Sequence, residues 1–273
     1  MLYPGEKVID DSNAHTLTYQ NVDTTGPYVV VNGHRRYLTG QPKPADHDSR
    51  KYSKPFSAAI PRIPRSDWSA MLKDQVAQRR LISQMQHWEP DDQDGFPICW
   101  AAGTCAAFST ARVLQGLPYV RISGMSVAVP ISGGRRGGYE GDAVEYLTQH
   151  GGASVDVWGY DDPGRYDSKP EVQASRKHHI AIESYECESF DDFATAWLLR
   201  FPCTVSYNWW SHVVMACDLV EIEPGSFGVR IRNNWGDWEA SNDLGVSGYQ
   251  VLREGHGTPS GGFAFRQVTS STI

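Results

Sequence analysis

The chain has 273 residues, 40% of them hydrophobic and 21% charged, with 25 Lys and Arg against 32 Asp and Glu for a formal charge of −7. That is globular composition, enough for one large domain or two lobes, and a mildly acidic balance without a basic tract argues against nucleic acid as a partner. No apolar run approaches the ~20 residues that span a bilayer, the start lacks the layout of a secretory signal, and five cysteines without a CxxC pair point to neither a disulfide framework nor a metal site. The expectation is an intracellular (cytoplasmic) protein, or one inside a particle, with no membrane, metal or cofactor.

Residues 1–60 differ from the rest, being rich in Pro, Asp, Thr and His. They hold a hairpin signal, PYVVVNGHRRYL, in which Asn32-Gly33 fits a two-residue type I′ turn. TGQPKPADHDSRKYSKP then reads as a linker. A helix is predicted from Ser66, with Ser66 or Asp67 as cap and Trp68, Met71, Leu72, Val76, Leu81, Met85 and Trp88 at roughly helical spacing. Further helices are predicted over residues 98–114, over 140–150 with Gly151 closing it, and over SFDDFATAWLLRF, capped by Ser189 and stopped by Pro202. From Cys203 the pattern turns to short segments rich in β-branched and aromatic residues: CTVSYNW, HVVMACDLVEI, FGVRIRNNW, GYQVLRE and GFAFRQV. Helices first and strands later predict an α+β fold. It divides into an extension over 1–60 and a domain over 61–273, with a helical lobe at about 66–150 and a β lobe at about 155–273.

Three residues draw attention as chemistry. Cys99 opens the helix of QDGFPICWAAGTCAAFS, where unpaired N–H groups and the helix dipole lower a thiol pKa. Cys105 lies about 240° further round an ideal helix and is expected in the core. His212 opens an apolar segment after an aromatic cluster and is a candidate base. Asn233, beside a Trp-Gly after an apolar strand, is a candidate to orient it. Singly, each has a plainer reading: a buried small hydrophobe, a structural histidine, a turn residue. Their conjunction and their order in the chain, with Gln93 upstream, carry the weight.

That pattern resembles the papain family of cysteine peptidases. The resemblance implies a two-lobe fold, with a central helix starting at the nucleophile and an antiparallel, barrel-like β lobe. It implies a cysteine endopeptidase in which Cys99 is the nucleophile, His212 the base, Asn233 its orienter and Gln93 an oxyanion donor. Gly137 and Gly138 would form the wall that pairs with the substrate backbone, and Trp235 would shield the His–Asn hydrogen bond and line the cleft. The likeness covers residues 61–273 loosely. It departs in FPICW, where only the last two positions match the usual Cys-Gly-Ser/Ala-Cys-Trp, and in a short stretch before His212. There a segment that shapes the family's specificity pocket is missing, so no side-chain preference carries over. Residues 1–60 do not resemble the family's helical pro-segment. They are expected to be a pro-segment of another kind or an arm that docks on an assembly partner.

The expected partner is a peptide or protein substrate. The alternative is a papain-fold structural or binding component of a larger assembly, a viral one included. Cell-wall peptide amidase activity ranks behind both, because no wall-binding repeat accompanies the domain.

Overall fold

The computed structural model describes residues 2, 3, 5–85, 91–236 and 248–269. Its strands are β1 (Val8–Ile9), β2 (Asn21–Val22), β3 (Pro27–Val31), β4 (His34–Tyr37), β5 (Lys54–Pro55), β6 (Ala181–Cys187), β7 (Cys203–Tyr207), β8 (His212–Glu223), β9 (Ser226–Arg232), β10 (Tyr249–Arg253) and β11 (Gly261–Val268). Eight form one sheet in the order β1-β10-β9-β8-β7-β11-β6-β5. From β10 to β6 every pairing is antiparallel, whereas β1 and β5, both from the N-terminal extension, add parallel edges. The extension thus covers both open edges of the sheet, where unpaired N–H and C=O groups would otherwise face solvent.

β8 is buried along most of its length, which explains its near-continuous apolar sequence. One face of the sheet meets the central helix, Cys99–Leu114, and the helices Met125–Ser132 and Glu140–Gln149 behind it. The opposite face meets Trp68 of the helix Arg65–Ala77 and Phe193 and Trp197 of the helix Phe190–Leu198. The mixture of helix and antiparallel sheet is the α+β architecture expected.

Several local predictions hold. Asn32 and Gly33 have φ of 51° and 81°, as a type I′ turn requires. The Ser189 side chain accepts from the Asp192 amide, and Gly151, at φ 72°, follows the helix Glu140–Gln149. The helix at Arg65 departs from expectation. Its N-cap is Pro64, so it begins before Ser66 and Asp67, and the Ser66 hydroxyl bonds Asp67 instead of capping. It also ends at Ala77, after which Arg79 turns left-handed (φ 54°) and a short helix, Ile82–Met85, follows. The break has a tertiary cause: the Asp218 carboxylate on β8 accepts the Ile82 amide at 2.7 Å and so starts a new helix there. Trp88 lies outside the described residues. The helices Met125–Ser132 and Pro170–Lys177 have no counterpart in the predicted set, and the first carries Pro130 inside it.

The N-terminus is fixed by charge. Glu6 accepts from Arg230 Nε at 2.6 Å and Nη2 at 2.8 Å, and Arg230 also reaches Asp218 at 3.1 Å, all three side chains being buried. The Arg230 guanidinium lies 3.9 Å from the centre of the Tyr3 ring.

Candidate active site

The central helix sits hard against β8 because Gly103 has no side chain: a Cβ there would lie 3.0 Å from the Val214 backbone. Cys99 is one turn earlier on the same helix face, which carries it to the level of His212 and Val213, where β8 begins. β8 starts abruptly, because residues 208–211 form a tight turn that ends on Ser211 at φ 52°. Pairing of Met215 with Arg232 then brings the end of β9, and Asn233 after it, back to the start of β8.

There His212 Nε2 and Asn233 Oδ1 are 2.9 Å apart. The Asn234 amide also donates to that oxygen, at 2.8 Å, which fixes it as an acceptor. The ring therefore donates from Nε2, and its neutral form keeps a lone pair on Nδ1. Trp210 and Trp235 enclose the imidazole, with ring centres 4.7 Å and 4.9 Å away. Burial lowers the His212 pKa to about 4 against the support of the Asn233 and Asn234 side chains.

Cys99 is also fully buried. Burial raises its thiol pKa, opposed by donors from Val213, Thr39 and Trp100 around the sulfur. Among the described residues His212 Nδ1 meets no hydrogen-bond partner, the Cys99 sulfur included. In this state thiol and imidazole are therefore both neutral, and the thiolate expected from a helix N-terminus is not favoured, because desolvation outweighs the dipole. Asn234 Nδ2 ties the two elements together, donating at 3.3 Å to the carbonyls of both Cys99 and Val213.

The cover over the thiol is the extension itself. After β4 the chain runs across the face of the site. The Gly40 amide donates to the Ser211 carbonyl at 2.8 Å, and the Gln41 amide donates to the Gly138 carbonyl at 2.9 Å. Gly40 and Gly138 pair in parallel. Gly137 and Gly138 allow this close approach: a Cβ on Gly137 would lie 2.2 Å from the Thr39 carbonyl oxygen, and one on Gly138 would lie 2.6 Å from the Trp100 ring. Gln93 Nε2 donates to the carbonyls of Tyr37 at 3.2 Å and Phe96 at 2.8 Å. Arg36 of β4 holds Asp92, next to Gln93, through Nη2 at 3.0 Å and a second contact from Nη1.

Cys99, His212, Asn233, Gln93, Gly137, Gly138 and Trp235 thus converge on one place, with His212–Asn233 the pair in direct hydrogen-bond contact. Sequence reading missed Asn234, Trp210 and the strap of residues 37–43. For the strap no local signal exists, since its partners come from elsewhere in the chain. Cys105 is in the core as expected, and all five cysteines are free and buried. Among the described residues no cluster of potential ligands could hold a metal ion, and no helix is long and apolar enough to cross a membrane.

No family model and no curated protein sequence matches the chain. Solved structures do. Xylellain, a cysteine protease from Xylella fastidiosa, has a TM-score of 0.57 at 15% identity, over 87% of this chain and 98% of its own. Digestive procathepsin L 3 from the larval midgut of Tenebrio molitor has 0.61 at 16%, over 85% and 77%. Procathepsin B S9 from Trypanosoma congolense has 0.52 at 17%, over 94% and 88%. The chain has the papain-like fold of cysteine proteases. At these identities the likeness is one of fold, and what the site does rests on its own geometry.

Proposed function

We propose that the chain is a cysteine peptidase whose N-terminal arm covers its own active site. The observation that carries this reading is that the cleft already holds peptide. Residues 37–41 lie over Cys99 in extended form, with backbone hydrogen bonds to Ser211, Gly138 and Gln93. A groove that takes one polypeptide backbone in this way can take another once the strap lifts. Two of the solved structures alike in fold are pro-cathepsins, in keeping with a covered form.

With the strap lifted, water enters and the desolvation that holds thiol and imidazole neutral relaxes. Nδ1 of His212 takes the Cys99 proton, and the sulfur attacks the scissile carbonyl. Gln93 Nε2, released from Tyr37, stabilises the oxyanion. The protonated ring returns its proton to the leaving amine, and water attacking the thioester frees Cys99. Asn233 holds the ring and its tautomer throughout.

The test is hydrolysis of a fluorogenic peptide library by the full chain and by a Gly40→Leu variant. A side chain at Gly40 has only 3.1 Å to the His212 backbone and so pushes the strap out. The expected result is hydrolysis that rises in the variant and vanishes when Cys99→Ala is added. Hydrolysis that survives Cys99→Ala refutes the assignment.

A second reading, a binding or structural module, is favoured by exposed apolar side chains on the arm. Tyr19, Val22 and Val30 are 55%, 67% and 52% exposed on or beside its three-stranded sheet, apolar side chains that an assembly partner could cover. It predicts no Cys99-dependent hydrolysis with the strap displaced.

A further inference from the structure

Beside the Gly138 wall is a cavity of about 170 Å³ whose lining includes Lys43, Tyr139, Glu140, Glu186, Glu188 and Ser206. Glu140 is fully buried. One of its oxygens accepts the Ser206 hydroxyl at 2.8 Å, and the other has no hydrogen-bond partner among the described residues. A buried carboxylate oxygen without a partner calls for a reason, because such groups are nearly always satisfied. Burial raises the Glu140 pKa to about 7, and its largest cause is removal of the carboxyl from water.

The strap indicates what belongs there. Beyond Gln41 the chain passes Pro42, and the Lys43 ammonium reaches Glu186 at 2.7 Å on the rim of the same cavity. Glu186 also accepts the Ser49 hydroxyl. An extended backbone lying along the glycine wall thus delivers a cationic side chain to an acidic pocket. The Lys43 side chain is 42% exposed, so the ion pair itself is weak. Its placement in the lining of the cavity that Glu140 also lines is what matters.

Resting on the peptidase reading, we propose that this pocket selects a Lys or Arg side chain of the peptide substrate, with Glu140 at its base and Glu186 on its rim, and that Lys43 is the internal occupant while the arm covers the cleft. Glu140 and Glu186 are then specificity-determining residues. A leucine in the same place would leave the carboxyls unpaired, and an acidic side chain would be repelled.

The experiment is a positional-scanning library of fluorogenic tetrapeptides on the full-length Gly40→Leu chain, followed by kcat/KM for the best Lys peptide and its Leu counterpart. At one position Lys and Arg are expected to exceed Leu by about tenfold or more, the size of one close, partly desolvated charge pair. Glu140→Gln and, separately, Glu186→Gln should each lower the Lys-to-Leu ratio several-fold. The ratio is unaffected if a variant merely yields less folded enzyme. Cleavage that depends on Cys99 but shows no basic preference at any position overturns the pocket assignment and leaves the peptidase reading standing. So does a ratio unmoved by both substitutions. Absence of any Cys99-dependent cleavage overturns both.

Discussion

Gly137→Ala is expected to uncover the Cys99 thiol. Gly137 is not in a left-handed conformation, so alanine fits its backbone, yet the new methyl would lie 2.2 Å from the Thr39 carbonyl oxygen and 2.7 Å from Thr39 Cβ. The strap has to move. It is held over the site by the bonds from Gly40 to Ser211 at 2.8 Å, Gln41 to Gly138 at 2.9 Å and Gln93 to Tyr37 at 3.2 Å. At about 1 kcal/mol net for each such bond, their loss lowers the cost of opening by about 3 kcal/mol. At about 1.4 kcal/mol per factor of ten, the open fraction rises on the order of 10²-fold. Iodoacetamide is small enough to pass the added methyl, so the second-order rate of Cys99 alkylation, followed by peptide mass spectrometry, reads that fraction directly. The expected gain is about 10²-fold over wild type, with the other four cysteines unchanged because they are buried in the core. Cys99 alkylation within about threefold of wild type, in a variant of near-native melting temperature, would show that the strap does not gate the thiol; a factor of three corresponds to under 1 kcal/mol.

Gln93→Ala should lower turnover of the uncovered enzyme by about 10²–10³ with little change in KM, as loss of an oxyanion donor does; steady-state kinetics on the best library peptide decide it, and an unchanged kcat removes Gln93 from the mechanism. Glu6→Ala removes one of the acidic partners of the buried Arg230, with Asp218 kept, and should cost about 3 kcal/mol in urea unfolding; an unshifted midpoint would mean the arm's first turn contributes nothing to the fold. Glu140, raised to about 7, holds its proton more tightly folded than unfolded, so its cost to stability grows as pH rises from about 4.5 to 7. Glu140→Gln should therefore raise the melting temperature more at pH 8 than at pH 4.5, and a pH-independent difference contradicts this. His212 and His179, both lowered to about 4, act in the opposite direction: the unfolded chain takes up their protons first, so stability falls as pH drops from about 6.5 to 4. Urea midpoints across that range, in wild type and in His179→Asn, measure it, and identical slopes would exclude His179 as a contributor.

Much of the scaffold was legible because its causes are local. The helix after Cys99, the strands from Cys203 onward and the turn at Asn32-Gly33 each follow from a period or a backbone preference within a few residues. The order Gln93, Cys99, His212, Asn233 was legible too, and the pairing of β8 with β9 explains why the last two, 21 residues apart, meet. What the sequence could not display is anything whose partner is supplied from a distance. The strap from Thr39 to Lys43 reads as linker because Gly40 and Pro42 interrupt a polar run, yet the Gly40 and Gln41 amides find carbonyls contributed by other segments. The helix from Arg65 stops early because Asp218, far along the chain, captures the Ile82 amide. The charge state of the site belongs to the same class. A cysteine at a helix start predicts an acidic thiol, but burial beneath the strap reverses the sign for Cys99 and keeps His212 neutral. Desolvation depends on what covers a group, and only the folded chain determines that.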